Sequence, residues 1–379
     1  MAKISPALVR TAALIGTEDE AIAAAGSVAR HFDEAISPTV TDSEETVVGS
    51  LDALSRSGLF GVSIPTEHGG IDVSNTVLAG ICAILSEYST TVGLIACAHF
   101  VALERLRSYG TEGQRSAVFT AALSGARLAR VEAIEGEGEG AGALPIVPVG
   151  LGWRINGEAL CTPHAPHADW LLMPALDATG RPTSLLLPAR TDGIRYVANG
   201  GGPGEVVASP GERVLFRDVV AEGDALLHSP RDPSKVDVPQ ALDILLEAAR
   251  HLGRARRDFL HIRQRVDGGA GADDVDHGVH AIGAVSVRIA AAEATMEHGG
   301  RAVDAAQIGS AERHRTAAVF AAIVAGISAL ESGRLAACTL RRLSDPALPI
   351  SQREIELASR IAELQRMAGS YSAIEDDEV

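Results

Sequence analysis

Gly58-Leu59-Phe60-Gly61-Val62-Ser63-Ile64-Pro65-Thr66-Glu67-His68-Gly69-Gly70 breaks a long run of helical periodicity with a proline and two adjacent glycines. Proline lacks a main-chain donor and glycine reaches backbone angles closed to other residues, so 64–70 is expected to turn. Apolar residues recur three and four apart on both sides, as Leu51 and Leu54 before it and Val77, Ile81 and Ile84 after it. That is the spacing of a helix face turned to a core. A second break follows at Tyr109-Gly110-Thr111-Glu112, where Gly110 suits the end of one helix and Thr111 the cap of the next. Residues 1–127 therefore read as an N-terminal α-helical domain.

The texture then changes. Residues 128–230 carry short apolar runs separated by glycine and proline, at 152–157, 170–173, 184–188 and 213–216, the spacing of a compact central β domain. Residues 231–379 return to long alanine-rich helical segments, at 241–265, 277–306, 311–343 and 351–368, which make a C-terminal helical bundle. Between the first two lies Asp267-Gly268-Gly269-Ala270-Gly271-Ala272-Asp273-Asp274, expected to be a mobile loop. The fold class is α+β: bundle, β domain, bundle.

Composition excludes several classes of function. With 379 residues, 46% of them hydrophobic, the chain can bury sizeable cores. A formal net charge of −16 repels phosphate backbones and anionic membranes, so nucleic acid is not an expected partner. Cys82, Cys97, Cys161 and Cys338 form no CxxC pair, which argues against zinc and a disulfide framework and suits a reducing cytoplasm. The longest charge-free runs, 88–103 and 316–330, are shorter than the ~20 residues of a membrane span. Only 3% of residues are aromatic, a thin supply for walls around a flat ring system.

Several strings resemble the acyl-CoA dehydrogenase superfamily over nearly the whole chain. Residues 58–70 are similar to that superfamily's GLFG-x-x-x-PEEYGG turn, and Tyr109-Gly110-Thr111-Glu112-Gly113-Gln114 to its YGTEEQ helix start. Gly152-Trp153-Arg154-Ile155-Asn156-Gly157 resembles its GWxLNG strand pair, and Ala168-Asp169-Trp170 continues the register. Thr91-Val92-Gly93 followed by His99-Phe100-Val101 is most similar to the reduced-flavin monooxygenases of organosulfur metabolism, the dibenzothiophene monooxygenase and sulfur-acquisition oxidoreductase families. Their helix carries asparagine before the histidine; here Ala98 takes that place. The resemblance implies a flavoprotein that takes reduced FMN or FAD from a separate flavin reductase and oxygenates a small organic substrate. It also implies flavin between the β domain and the second bundle, substrate against His99 and Thr162, and a homo-oligomer, dimer or tetramer, built through the last bundle.

The superfamily's flavin-contacting loop reads here Arg130-Val131-Glu132-Ala133-Ile134-Glu135, which by the resemblance makes Arg130 and Glu132 cofactor contacts. A second contacting segment reads Leu160-Cys161-Thr162-Pro163-His164, where Thr162 keeps a hydroxyl for flavin N5 or substrate. The string that holds the FAD diphosphate in the dehydrogenases is reduced to Arg263-Gln264-Arg265-Val266-Asp267, leaving Arg263 and Arg265 as phosphate ligands. A glycine-rich aromatic segment is largely deleted between Thr339 and Ser344, and Ser344 stands where the monooxygenases place an active-site histidine. In one dehydrogenase branch the base lies about ten residues before a leucine-glycine pair; counting back from Leu252-Gly253 gives Asp243, an α-proton base if burial raises its pKa.

The residues themselves admit plainer readings. His99 lies on an apolar stretch, 95–106, and is either a proton donor or acceptor near neutral pH or a satisfied core histidine. Thr162 suits a sheet as well as a ligand, and Arg263 and Arg265 suit a solvated helix end. Gly136, Gly138, Gly140 and Gly142 alternate with acidic residues that would repel phosphate, so they read as a surface loop. His164, His167 and Asp169 have metal-ligand spacing with no further ligand nearby, and no metal is expected. Three functions stay open: a two-component flavin monooxygenase, an acyl-CoA or acyl-carrier-protein dehydrogenase using Asp243, and a non-catalytic subunit paired with an active flavoprotein in a hetero-oligomer.

Overall fold

A computed structural model describes residues 11–35, 44–132, 143–197, 212–227, 237–269, 272–309, 311–344 and 348–376. Helices α1 (Glu18–Ala35), α2 (Glu44–Arg56), α3 (Asn75–Tyr88), α4 (Thr90–Tyr109) and α5 (Glu112–Leu123) come first. Strands β1 (Leu128–Glu132), β2 (Leu144–Val149), β3 (Gly152–Cys161), β4 (Trp170–Leu176), β5 (Pro182–Pro188), β6 (Ile194–Val197), β7 (Glu212–Glu222) and β8 (Leu226–Leu227) follow. Helices α6 (Val238–Gly269), α7 (Ala272–Ile308), α8 (Glu312–Ser344) and α9 (Gln352–Asp376) complete the chain. Helices, sheet and helices thus occur in the expected order. The acidic glycine string 136–142 lies outside the described residues, as does most of the segment joining β6 to β7.

The chain forms two compact units, and the helices preceding the sheet divide between them. One unit holds α2, most of α4, α5 and every strand. Its strands lie in the order β6-β7-β3-β1-β4-β5-β8, with β2 pairing β3 and β4. β1 is the hinge of this sheet, parallel to β4 through 128–130 and antiparallel to β3 through 131–132. Inward residues include Ile155, Leu171, Met173, Leu185, Leu187, Val214, Phe216 and Val219. The alternation in β3, where Ile155, Ala159 and Cys161 face the core, is the period-two pattern of a half-buried strand. The β3–β7 register shifts between Ile155 and Gly157, where β7 carries one extra residue.

The turn at 58–70 is built as its sequence requires. Pro65 precedes a 3₁₀ turn over Thr66–His68, Gly69 sits at φ +88°, and the Gly70 backbone passes so close to Ile64 that an added Cβ would lie 2.0 Å from its carbonyl oxygen. Thr111 caps α5 in a capping box with Gln114, as its spacing foretold.

The other unit holds α1, α3 and α6 to α9. α8 carries a stripe of buried small residues, among them Ala318, Ala322, Ala325, Gly326 and Ala329, that lets neighbouring helices approach closely. Gly253 on α6 lies where a Cβ would meet the Ala83 carbonyl oxygen of α3 at 2.2 Å. Asn75 fastens α3 to α7 through Asp304 at 2.7 Å and Gln307 at 2.8 Å. Among the described helices α8 alone is long and apolar enough to cross a membrane, but most of that stretch is buried inside its own unit. Of the loop expected at 267–274, residues 267–269 are the end of α6 and 272–274 the start of α7, while 270 and 271 lie outside the described residues. Glycines commonly close a last helical turn, and both long helices propagate to their ends because extension costs far less than nucleation.

Gly70→Ala should destabilise the chain by roughly 1–3 kcal/mol, because main chain rather than a movable side chain blocks the new methyl. Gly80→Ala, in α3 with nothing within 4 Å of the added Cβ, should be neutral or stabilising by up to about 1 kcal/mol. Thermal unfolding followed by circular dichroism checks the pair.

Candidate functional site

The candidate site grows from one peptide group, that of Leu128 at the start of β1. The Leu128 N–H donates to His99 Nδ1 at 3.1 Å, and Leu128 O lies 3.1 Å from His164 Nε2. His99 Nε2 in turn lies 2.9 Å from Phe60 O, in the turn at 58–70. These partners fix both tautomers. Nδ1 of His99 must carry a lone pair to accept from an amide, so its proton sits on Nε2, and His164 likewise needs its proton on Nε2 to donate to a carbonyl. Both rings are 0% exposed. Burial pushes their pKa values down, to about 4 for His99 and about 3 for His164, outweighing the hydrogen bonds to Phe60 and Leu128 that act the other way. The His99 ring also packs on Phe60 with centroids 4.2 Å apart and meets Phe100 edge-on at 5.6 Å.

Both nitrogens of His99 are committed to main chain and the ring is shut from solvent, the arrangement of the core histidine that the sequence also allowed. Its neighbour Arg127 was not singled out in the sequence, although an arginine inside the apolar run Ala126-Arg127-Leu128-Ala129 is the kind of signal that marks a buried ion pair. Arg127 is 2% exposed; it pairs with Asp52, donates from Nε to Ser55 Oγ at 2.8 Å, and its own N–H donates to Asp169 at 2.8 Å.

Thr162 follows β3 and closes on the other end of β1. Its N–H donates to Arg130 O at 3.0 Å, and its Oγ1 accepts from Arg130 N–H at 3.2 Å. The hydroxyl proton reaches Arg130 O only at 3.5 Å, a weak contact, and the residue is 3% exposed. Arg130 and Glu132 were expected in a loop; they lie in β1, with Arg130 half-buried and Glu132 exposed, because sheet pairing with β4 and β3 claims the segment. His164 N-caps the 3₁₀ turn Ala165–His167, and Asp169 is engaged by Arg127, so the metal-like spacing resolves into main-chain bonds. Among the described residues no cluster of three His, Cys, Asp or Glu side chains forms.

In the helical unit the remaining expected residues do not converge. Asp243 is half-buried near the start of α6. Arg263 and Arg265 are exposed on the last turns of α6, and Arg265 donates to Ser344 Oγ at 2.6 Å. Ser344 closes α8 and donates to Leu340 O at 2.7 Å, so the position of the monooxygenases' histidine holds a hydroxyl facing a guanidinium. A groove of about 840 Å³ between α7, α8 and α9 is lined by Arg288, Arg334, Cys338 and Arg342, with Arg341 paired to Glu354 at 3.0 Å.

The histidine geometry sets a pH dependence. A histidine whose folded pKa is depressed binds its proton first in the unfolded chain, so its stabilisation is full above about pH 6.5 and is lost as pH falls from there towards the folded value. Each ring should contribute a slope of up to about 1.4 kcal/mol per pH unit within that window. Urea unfolding at pH 7 and pH 5 should show a smaller loss of stability for His99→Gln than for the native chain; equal losses would mean that His99 is not held neutral.

Comparison with known proteins bears on the fold. Residues 18–126 match the family described as acyl-CoA dehydrogenase, N-terminal domain. The very long-chain specific acyl-CoA dehydrogenase of Rattus norvegicus is 34% identical over 106 residues, covering 27% of this chain and only 16% of that protein. The chain thus matches well under two thirds of its curated relatives' length. Dibenzothiophene monooxygenase from Paenibacillus sp. A11-2 superposes with a TM-score of 0.77 at 18% identity, covering 93% of this chain and 96% of that one. Butyryl-CoA dehydrogenase from Megasphaera elsdenii gives 0.74 at 14% identity, covering 94% and 98%. Residues 18–126 are thus similar to the acyl-CoA dehydrogenase N-terminal domain, and the chain carries the acyl-CoA dehydrogenase fold.

Proposed function

We propose that this protein is a flavin-dependent oxidoreductase, a two-component monooxygenase that receives reduced FMN or FAD from a separate reductase and acts on a small organic substrate. The observation that carries the reading is the near end-to-end likeness to dibenzothiophene monooxygenase, whose fold has also been seen with FMN bound. The residues present fit such a group. An isoalloxazine edge needs a few fixed main-chain and hydroxyl partners set in an apolar wall. The corner of Thr162 and Arg130 offers a loosely held hydroxyl beside strand main chain, next to the buried apolar faces of β1 and β3.

When bound, reduced flavin supplies two electrons to dioxygen, one oxygen atom going to the substrate and the other leaving as water. The chain's own contribution is orientation and exclusion of water. Thr162 would donate its hydroxyl proton in a hydrogen bond, held in place by its N–H on Arg130 O, while the neutral histidines keep β1 fixed without placing a titrating group at the site. With the active-site histidine replaced by Ser344, no described residue matching the family's pattern supplies an imidazole there, and proton delivery falls to solvent or to the substrate. A reductase as source of flavin, a homo-oligomer and a reducing, cytoplasmic setting for four free cysteines complete the proposal.

A second reading, acyl-thioester dehydrogenase, is favoured by the 34% identity of the N-terminal segment to the very long-chain enzyme. It assigns α-proton removal to Asp243. Acyl-CoA should then bleach bound flavin anaerobically in the native chain and fail to do so in Asp243→Asn.

The test of the leading reading is an anaerobic titration with oxidised and reduced FMN and FAD, read by calorimetry. Reduced flavin should bind, and Thr162→Val should weaken it about fivefold to tenfold, the worth of one hydrogen bond. No binding in any redox state would abandon the enzyme in favour of a cofactor-free subunit that supports an active flavoprotein.

A further inference from the structure

His164, one of the two histidines that hold β1, is among the most buried polar side chains of the sheet unit. It is wholly buried, its Nε2 is spent on Leu128 O, and its Nδ1 has no hydrogen-bond partner. An unpaired acceptor in a dry interior costs about 1–3 kcal/mol, a penalty that leucine at the same place would avoid. A plain core-filling role therefore leaves the imidazole unexplained; the bond it makes to Leu128 must matter more than the lone pair it strands.

That bond joins two segments already tied once. Thr162, two residues before His164, holds Arg130 from both sides, its N–H on Arg130 O and its Oγ1 on Arg130 N–H. His164 holds Leu128, two residues before Arg130. Residues 162 and 164 thus grip alternate residues of β1 on one edge, where regular pairing with β3 has ended at Val131↔Cys161. The intervening turn is short and bonded within itself, Ala165 N–H to Thr162 O at 2.9 Å and His167 N–H to His164 O at 2.8 Å. A two-point grip fixes both the height of this turn on β1 and its angle. With one point, Thr162 could pivot about Arg130; with two, its hydroxyl has a single direction.

We propose that His164 is a positioning residue, whose Nε2–H bond to Leu128 O sets the Thr162 hydroxyl and the Arg130 main chain in the orientation that receives the flavin. The ligand part of this inference rests on the flavoprotein reading, whereas the grip on β1 does not. Rigid support of a ligand-contacting group by a neighbouring hydrogen bond is what holds binding geometry to a fraction of an ångström. Glutamine can extend an amide N–H to about the place of Nε2, so it should replace the imidazole; leucine fills the space without a donor.

The experiment compares the full chain with His164→Leu and His164→Gln by two readouts. Amide hydrogen exchange at Arg130 and Thr162 requires no flavin. Both amides should exchange about fivefold faster or more in His164→Leu, as loss of one hydrogen bond implies, and return towards native rates in His164→Gln. The second readout is affinity for reduced FMN, which should fall in the leucine variant and recover in the glutamine variant, with the far-ultraviolet circular dichroism of all three unchanged. Native exchange at Arg130 and Thr162 in His164→Leu would overturn the proposal, as would equal loss in both variants. If the native chain binds no FMN, the flavoprotein reading fails while the exchange rates still judge the grip on β1.

Discussion

The sheet unit depends on the peptide group of Leu128 being held, on both its faces, by neutral imidazole. One histidine accepts from its N–H and another donates to its carbonyl, and the first donates its Nε2–H to Phe60 O. A charged ring could not perform the first task, because imidazolium has no acceptor. Burial therefore does more than hide the rings: by disfavouring the charged form it enforces the tautomers on which the contacts rely. The glycine turn at 58–70, the helix carrying His99, the start of β1 and the turn after β3 are all tied to this one peptide.

The legibility of the fold follows from the strength of each local signal. The helices were readable because apolar spacing persisted over many turns, and Thr111 was readable because a cap, a glycine and a glutamine stood at fixed offsets. Strands β3, β4, β5 and β7 were readable from short apolar runs, but β1 was not. Its sequence, Leu128-Ala129-Arg130-Val131-Glu132, lacks clean alternation, and pairing with two distant strands makes it a strand. The glycines at 268 and 269 misled in the opposite sense, since glycine marks the end of a helix as readily as a loop.

The site was legible only in part. Thr162 and Arg130 meet through main chain and hydroxyl. His99 drew attention by its residue type, yet its role was settled by Leu128, a residue no pattern distinguishes and 29 positions away. His164 was weighed as a metal ligand because its neighbours His167 and Asp169 suggested one, and its true partner is again Leu128. Side chains that bind main chain far along the sequence leave no trace in residue spacing, which is why the central interaction of this protein could be found only in three dimensions. The departures from the flavin motifs, Ser344 above all, are by contrast visible in sequence alone and remain meaningful in the structure, where Ser344 faces Arg265.

The most direct measurement is a nuclear magnetic resonance titration of the histidine ring nitrogens in the native chain. His99 and His164 are expected to stay neutral, each with its proton on Nε2, from pH 7 down to about 4 for His99 and about 3 for His164 or until the chain unfolds. Either ring taking up a proton near pH 6.5 in the folded protein, or carrying its proton on Nδ1, would contradict the account, because the Leu128 peptide would then lack the partners that hold β1 in place.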